Sequence, residues 1–131
     1  MITVLPVQAK TVQAELCRSC KIPFLPDALA YFAKDGEGRF AGLCQFKLDA
    51  EGGHLFHLCA PEEMLSLDPL FVLGRAALNF IDLCGTKIAF FEGEDVPDAL
   101  LRRIGFAPDE KGRYAIELDG FFTKGCACSA Q

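Results

Sequence analysis

The sequence predicts an α/β (α+β mixed) chain whose central, mostly antiparallel sheet of six to seven strands is flanked by helices. Three observations carry this. Extended runs at 28–33, 40–48 and 54–60 are separated only by the turns Asp35-Gly36-Glu37-Gly38 and Glu51-Gly52-Gly53, the pattern of an antiparallel meander. A long amphipathic helix follows at 68–84. A strand, a shorter helix and a last strand then close the chain between Lys87 and Asp119.

Taken in order, Ile2 to Val7 alternates weakly and reads as a first strand. In 9–22, Val12, Leu16 and Cys20 recur at a spacing of four, one stripe of a helix that Pro23 stops after Ile22. In the run 40–48, Phe40, Cys44, Phe46 and Leu48 form one face, with Gln45 and Lys47 on the other. Pro61 ends the third strand of the meander. Asp68 offers a carboxylate to cap the next helix, and Pro69 lacks the amide that would go unpaired there. Leu70, Leu73, Ala77, Ile81 and Cys84 form its buried face, Arg75, Asn79 and Asp82 its solvated one, and Gly85 supplies a left-handed exit. Lys87 to Glu92 is a strand. Asp95 is placed to cap 96–104, Gly105 ends that helix, and Phe106 folds back on its last turn. Tyr114, Ile116 and Leu118 share one face of the strand 113–119.

The 131 residues (14.3 kDa) suit a single domain, assigned to 1–120 with a cysteine-containing tail at 121–131. Apolar residues make up 51 %, enough to cover a sheet without disulfides. A formal charge of −5 and a pI near 5.0 exclude a phosphate-tracking surface, so nucleic acid is not an expected partner. The most apolar window, Leu65 to Cys84, holds Asp68, Arg75, Asn79 and Asp82, so neither a lipid-facing span nor a membrane partner is expected. MITVLPVQAK has no basic-then-apolar signal, and seven scattered cysteines fit a reducing compartment, which together make the expected location cytoplasmic.

This order of elements resembles the GNAT superfamily of N-acetyltransferases over residues 1–119, with the second helix reduced to the Pro23–Pro26 turn. Local likenesses are FAGLCQF at 40–46, LCAP at 58–61 and ALLRRIGF at 99–106, the last similar to the family's helix end ALYEKLGF. The resemblance implies acyl transfer from acetyl-CoA to an amine, with Leu58, Cys59 and Ala60 along the thioester arm of the cofactor. It places the family's diphosphate loop, Q/R-x-x-G-x-G/A, on Leu65 to Leu70, where Asp68 and Leu70 stand as cofactor-binding candidates. These six positions hold no glycine, Pro69 removes an amide, and no Lys or Arg occurs between Lys47 and Arg75, whereas Glu51, Glu62, Glu63 and Asp68 are negative. The family's tyrosine acid aligns with Leu101 and its asparagine with Glu94; Cys59 or a water is left to replace the acid.

His54 and His57, three apart on a strand, point to opposite faces and do not form one site. His57 is the candidate base for an amine, with a hydrogen-bonded structural histidine as the plain alternative, and Glu62 is a second catalytic candidate or a solvated turn residue. Cys17, Cys20, Cys126 and Cys128 offer four thiols to zinc if the tail folds back; Cys44, Cys59 and Cys84 read as small core hydrophobes. The phenylalanines at 90, 91, 106, 121 and 122 form core or a homodimer patch. Three functions stay open: an acetyltransferase; a degenerate, non-catalytic protein of the fold that binds another small ligand or acts as a scaffold or dimer partner; and a metal- or redox-responsive module.

Overall fold

The structure, a computed structural model, describes residues 1–61, 66–94 and 96–122. Its elements run β1 (Thr3–Pro6), α1 (Lys10–Cys20), β2 (Leu29–Lys34), β3 (Phe40–Leu48), β4 (Gly53–Cys59), α2 (Asp68–Leu83), β5 (Ile88–Phe91), α3 (Asp98–Ile104), β6 (Ala107–Pro108) and β7 (Tyr114–Glu117). The described strands make one seven-stranded sheet in the order β1-β2-β3-β4-β5-β7-β6. Every described pairing is antiparallel except β4 with β5, which the crossover through α2 joins in parallel.

The larger core lies under α2, where Leu70, Leu73, Ala77 and Ile81 meet Cys44 and Phe46 of β3 and Leu55 of β4. Burial of such side chains supplies the main driving force for the fold. Phe46 anchors an aromatic cluster with Tyr31 and Phe80, its ring centroid 5.3 and 5.8 Å from theirs. Phe90, Phe91 and Phe106 are buried, and Phe121 and Phe122 pack against the core, so the aromatic stripe is interior rather than a free patch. A smaller core of Cys17, Ala30 and Leu43 lies on the opposite side of the sheet, under α1.

Several local expectations are corrected. The inward face of α1 is Gln13 and Cys17, and Val12 is 44 % exposed, so the helix is turned relative to its apolar stripe. Gln45 is fully buried rather than solvated, since both faces of β3 are covered. Asp68 does not cap α2: it is the first helical residue after Leu67, and its side chain makes no capping hydrogen bond. Cys84 is exposed, at the carboxyl-terminal cap of α2. Arg75 is half-buried and donates to the carbonyls of Ile104 (2.6 Å) and Arg103 (3.2 Å), so it closes the carboxyl end of α3 instead of facing solvent. Gly85 and Gly105 leave their helices at φ 87° and 133°, as expected, and the Phe106 amide bonds back to Leu101 at 2.9 Å. Asp95 lies outside the described residues.

Candidate functional site

The site begins where the parallel pair comes apart. β4 and β5 align over Gly53–Ala89, His54–Phe90 and Leu55–Phe91, and the Glu92 amide still donates to the Leu55 carbonyl at 2.8 Å. Beyond that point β4 continues through His57, Leu58 and Cys59 with no described partner on its β5 side. Gly93 is packed so closely that a Cβ there would fall 2.6 Å from the Phe56 carbonyl oxygen.

The wedge is closed from above by the carboxyl end of α1 and the chain after it, and it holds two adjoining cavities. One, about 360 Å³, is lined by Cys20, Leu58, Cys59, Ala60, Leu67 and Leu70 among others, and is largely apolar. The other, about 480 Å³, is lined by Pro23, Leu25, Phe56, Glu92, Gly93 and Glu94 among others. Lys21, Ile22, His57 and Glu94 line both, so His57 stands at the junction. The structure thus brings His57, Leu58, Cys59, Ala60 and Leu70 to one cleft. Asp68 lies outside it, near Arg103 (3.4 Å) on the surface, and Glu62 is outside the described residues.

His57 is held by a buried polar network that strand alternation did not reveal. The Gln45 side-chain oxygen accepts from the Leu25 amide (3.1 Å) and from Gln13 Nε2 (2.8 Å). Gln45 Nε2 lies 2.9 Å from the Pro23 carbonyl and 2.8 Å from His57 Nδ1. Gln13 Nε2 also reaches the carbonyls of Leu25 (3.2 Å) and Ala28 (3.4 Å). The network ties α1, the 23–28 connection, β3 and β4 together, and burial holds the His57 pKa below its usual value. Two glutamines opposed across a helix–strand contact were the only sequence signal, and each alone reads as a surface residue.

From Asp68 to Phe71 the start of α2 has no free backbone amide to offer an anion. Ser66 Oγ accepts from the Asp68 amide (3.2 Å), Pro69 has no amide, and the Leu70 and Phe71 amides bond to the Leu67 carbonyl at 3.1 and 3.2 Å. A diphosphate held by helix amides needs such donors free. Here they are taken by the helix itself and by a serine, not by Asp68.

No tyrosine reaches the cleft: Tyr31 is in the aromatic cluster and Tyr114 donates to Asp98 from β7. Leu101, at the position where the resemblance puts an acid, is buried in the core. Contact with Cys20 and burial raise the Cys59 pKa far above the ordinary thiol range, so it is a weak proton donor. Cys17 is buried in the small core, where desolvation pushes its thiol up to about 11, and the Cys20 Sγ lies 3.9 Å from the Cys59 carbonyl. Cys17 lies in the small core and Cys20 packs against it; Cys126 and Cys128 lie outside the described residues.

His54 occupies a separate ionic cluster at the closed end of the wedge. Its Nδ1 is 2.6 Å from Glu92 and its Nε2 2.9 Å from Asp49, while Arg113 bonds Glu51 (2.6 Å) and Glu92. Burial opposes the His54 charge, but hydrogen bonds to Glu92 and Asp49 outweigh it and raise the pKa. The bond from His54 lowers the pKa of Asp49, and the bond from Arg113 that of Glu51. Burial works against the Glu92 charge, but the bonds from Arg113 and His54 win and lower its pKa. Asp49, Glu51 and His54 have ligand-type atoms within 4.8 Å of one another, yet each already has a protein partner.

Linkage then sets the pH response. The raised His54 contributes stability that is full below its unfolded value near 6.5 and is lost as pH rises through its folded pKa. The depressed carboxylates contribute stability above the usual carboxylate range that is lost as pH falls through their folded pKa values. In urea titrations, His54→Ala is expected to be destabilising at pH 6 and progressively less so toward pH 9. A deficit of constant size would show that the imidazolium is not involved.

No protein-family model and no curated protein sequence matches this chain. Solved structures do. The ribosomal-protein-S18-alanine N-acetyltransferase of Escherichia coli aligns over 90 % of this chain and 94 % of its own at 13 % identity and a TM-score of 0.66. The spermidine/spermine N-acetyltransferase SpeG of Vibrio cholerae, solved with manganese ions, aligns over 94 % and 96 % at 10 % identity and 0.67. A Desulfovibrio desulfuricans protein described as belonging to the GNAT family aligns over 90 % and 99 % at 12 % identity and 0.66. The fold is that of the GNAT N-acetyltransferases. No helix among the described residues is long and apolar enough to cross a membrane.

Proposed function

We propose that the protein is an N-acyltransferase of this fold, which moves an acyl group from a pantetheine thioester such as acetyl-CoA to an amine. The observation that carries the reading is the parting of β4 and β5 after Leu55, with two cavities meeting at His57. Leu58, Cys59 and Ala60 offer a strand edge and an apolar wall to the thioester arm, and a cavity of about 360 Å³ suits it. The acceptor enters from the other side, where the Glu94 carboxylate lines the cavity and can meet an amine. A neutral amine attacks the thioester carbon; a C–N bond forms, the C–S bond breaks, the attacking nitrogen gives up its extra proton to water, and water returns one to the departing thiolate, because the Cys59 thiol is too weak an acid. The diphosphate part of the cofactor does not fit the start of α2, whose amides are already engaged, so the arm rather than the nucleotide carries recognition.

Calorimetric titration tests this. Acetyl-CoA and S-acetylpantetheine are expected to bind within about tenfold of one another, a difference of ~1.4 kcal/mol. A much tighter grip on acetyl-CoA would overturn arm-based recognition, and no heat from either ligand at millimolar concentration would overturn the acyl-donor reading. The second outcome would favour a non-catalytic protein that uses the same cleft for another small ligand, a reading supported by the closed helix start.

A further inference from the structure

We infer that His57 serves the cleft as a hydrogen-bond donor, not as a base: Gln45 fixes its imidazole with the proton on Nε2, and that N–H is aimed at an oxygen of the ligand. The groups that hold Gln45 have a chemistry that cannot be reversed. The Leu25 amide only donates, so the Gln45 atom 3.1 Å away is oxygen. The Pro23 carbonyl only accepts, so the Gln45 atom 2.9 Å from it is nitrogen. Turning the amide over would set N–H against N–H at Leu25 and oxygen against oxygen at Pro23, so only one orientation of the amide is possible. The second hydrogen of that nitrogen is then directed at His57 Nδ1, 2.8 Å away, which must accept it through its lone pair. A neutral imidazole with Nδ1 unprotonated carries its hydrogen on Nε2.

Among the described residues no buried side-chain nitrogen or oxygen lacks a hydrogen-bond partner, and Nε2 has no described protein partner. It is therefore the ring nitrogen open to the cavities that His57 lines. A base needs a lone pair facing its substrate. The Nε2–H has none, and the Nδ1 lone pair is committed to Gln45. The complement to this N–H at the junction of the two cavities is an acceptor oxygen, which under the acyl-transfer reading is the thioester carbonyl, where charge accumulates during attack. Gln45 is then a positioning residue, acting through His57.

Nitrogen-15 NMR of histidine-labelled protein decides the first part without any ligand. In the ligand-free protein at pH 7, the expected spectrum has a pyrrole-type Nε2 and a pyridine-type Nδ1 for His57, assigned by its loss in His57→Gln. Nδ1–H, or a ring charged at pH 7, would overturn the inference whatever the protein binds. Gln45→Glu, which replaces the donor facing Nδ1 by an acceptor, is expected to move the proton to Nδ1; should that variant not fold, the wild-type spectrum still decides. Acetyl-CoA and CoA are then compared. The donor role predicts that the Nε2–H resonance moves with acetyl-CoA and much less with CoA, which lacks the carbonyl. Equal shifts would overturn the donor role, whereas an unchanged Nε2–H tautomer with no response to either would instead remove the acyl-transfer reading on which this second part rests.

Discussion

Gln45→Leu is expected to cost about 3 kcal/mol, since each buried polar group left without a partner costs roughly 1–3 kcal/mol. Leucine fills similar volume, so the loss is not one of packing. It strands the Leu25 amide, the Pro23 carbonyl and His57 Nδ1, and it takes one acceptor from Gln13. For a domain whose total stability is on the order of 5–15 kcal/mol, this is a large fraction. The urea midpoint measures it. The pair Gln13→Leu with Gln45→Leu separates the pairwise part, because removing both partners relieves some of the stranding that either single change creates. If Gln45→Leu were as stable as the wild type, the network would be incidental and the orientation of His57 would need another cause.

Gly93→Ala is expected to cost about 2 kcal/mol, in the range of overpacked core sites, and to damage the cleft more than the stability suggests. The new methyl would sit 2.6 Å from the Phe56 carbonyl oxygen and 2.8 Å from the Phe91 ring. A backbone oxygen cannot rotate aside as a side-chain end can, so β4 and the segment after β5 must separate just where the wedge opens. His57 and Glu92 flank this contact, and the spacing of the two cavities depends on it. Binding of acetyl-CoA should weaken at least tenfold, or about 1.4 kcal/mol, while the fold survives. Unchanged binding alongside lost stability would show that the wedge tolerates widening.

Much of the architecture was legible because local signals and burial agreed. The glycine turns defined the meander, Gly85 and Gly105 ended their helices, and β3 was read over the same residues that it occupies. Legibility failed where a polar residue was read by itself. Gln45 sits in an alternating strand and was assigned to water, because alternation assumes one wet face, whereas β3 is covered by α1 and α2 on its two sides. Gln13 lay off the apolar stripe of α1 for the same reason, and its burial followed only from its partner. Asp68 had the residue type of a cap and the wrong position for one. The two-residue β6 is too short for any pattern to mark. Of the residues that line the cleft, Leu58 to Ala60 follow only from the family resemblance and His57 from its residue type, but the polarity of His57 depends on Pro23 and Leu25, distant along the chain, and no spacing rule connects them.

The single parallel pairing has a consequence for how the molecule comes together. β1 to β4 are joined through neighbours along the chain, whereas β5 to β7 reach them through three strand register pairs, the ion pairs of Glu92 and Arg113, and packing under the long crossover. Loop-closure entropy delays such long-range docking, so the first half can zip up early and the second half must be stapled on afterwards. The seam left by that late event is the mouth of the cleft, and a molecule lodged in it would act as a clasp between the two halves.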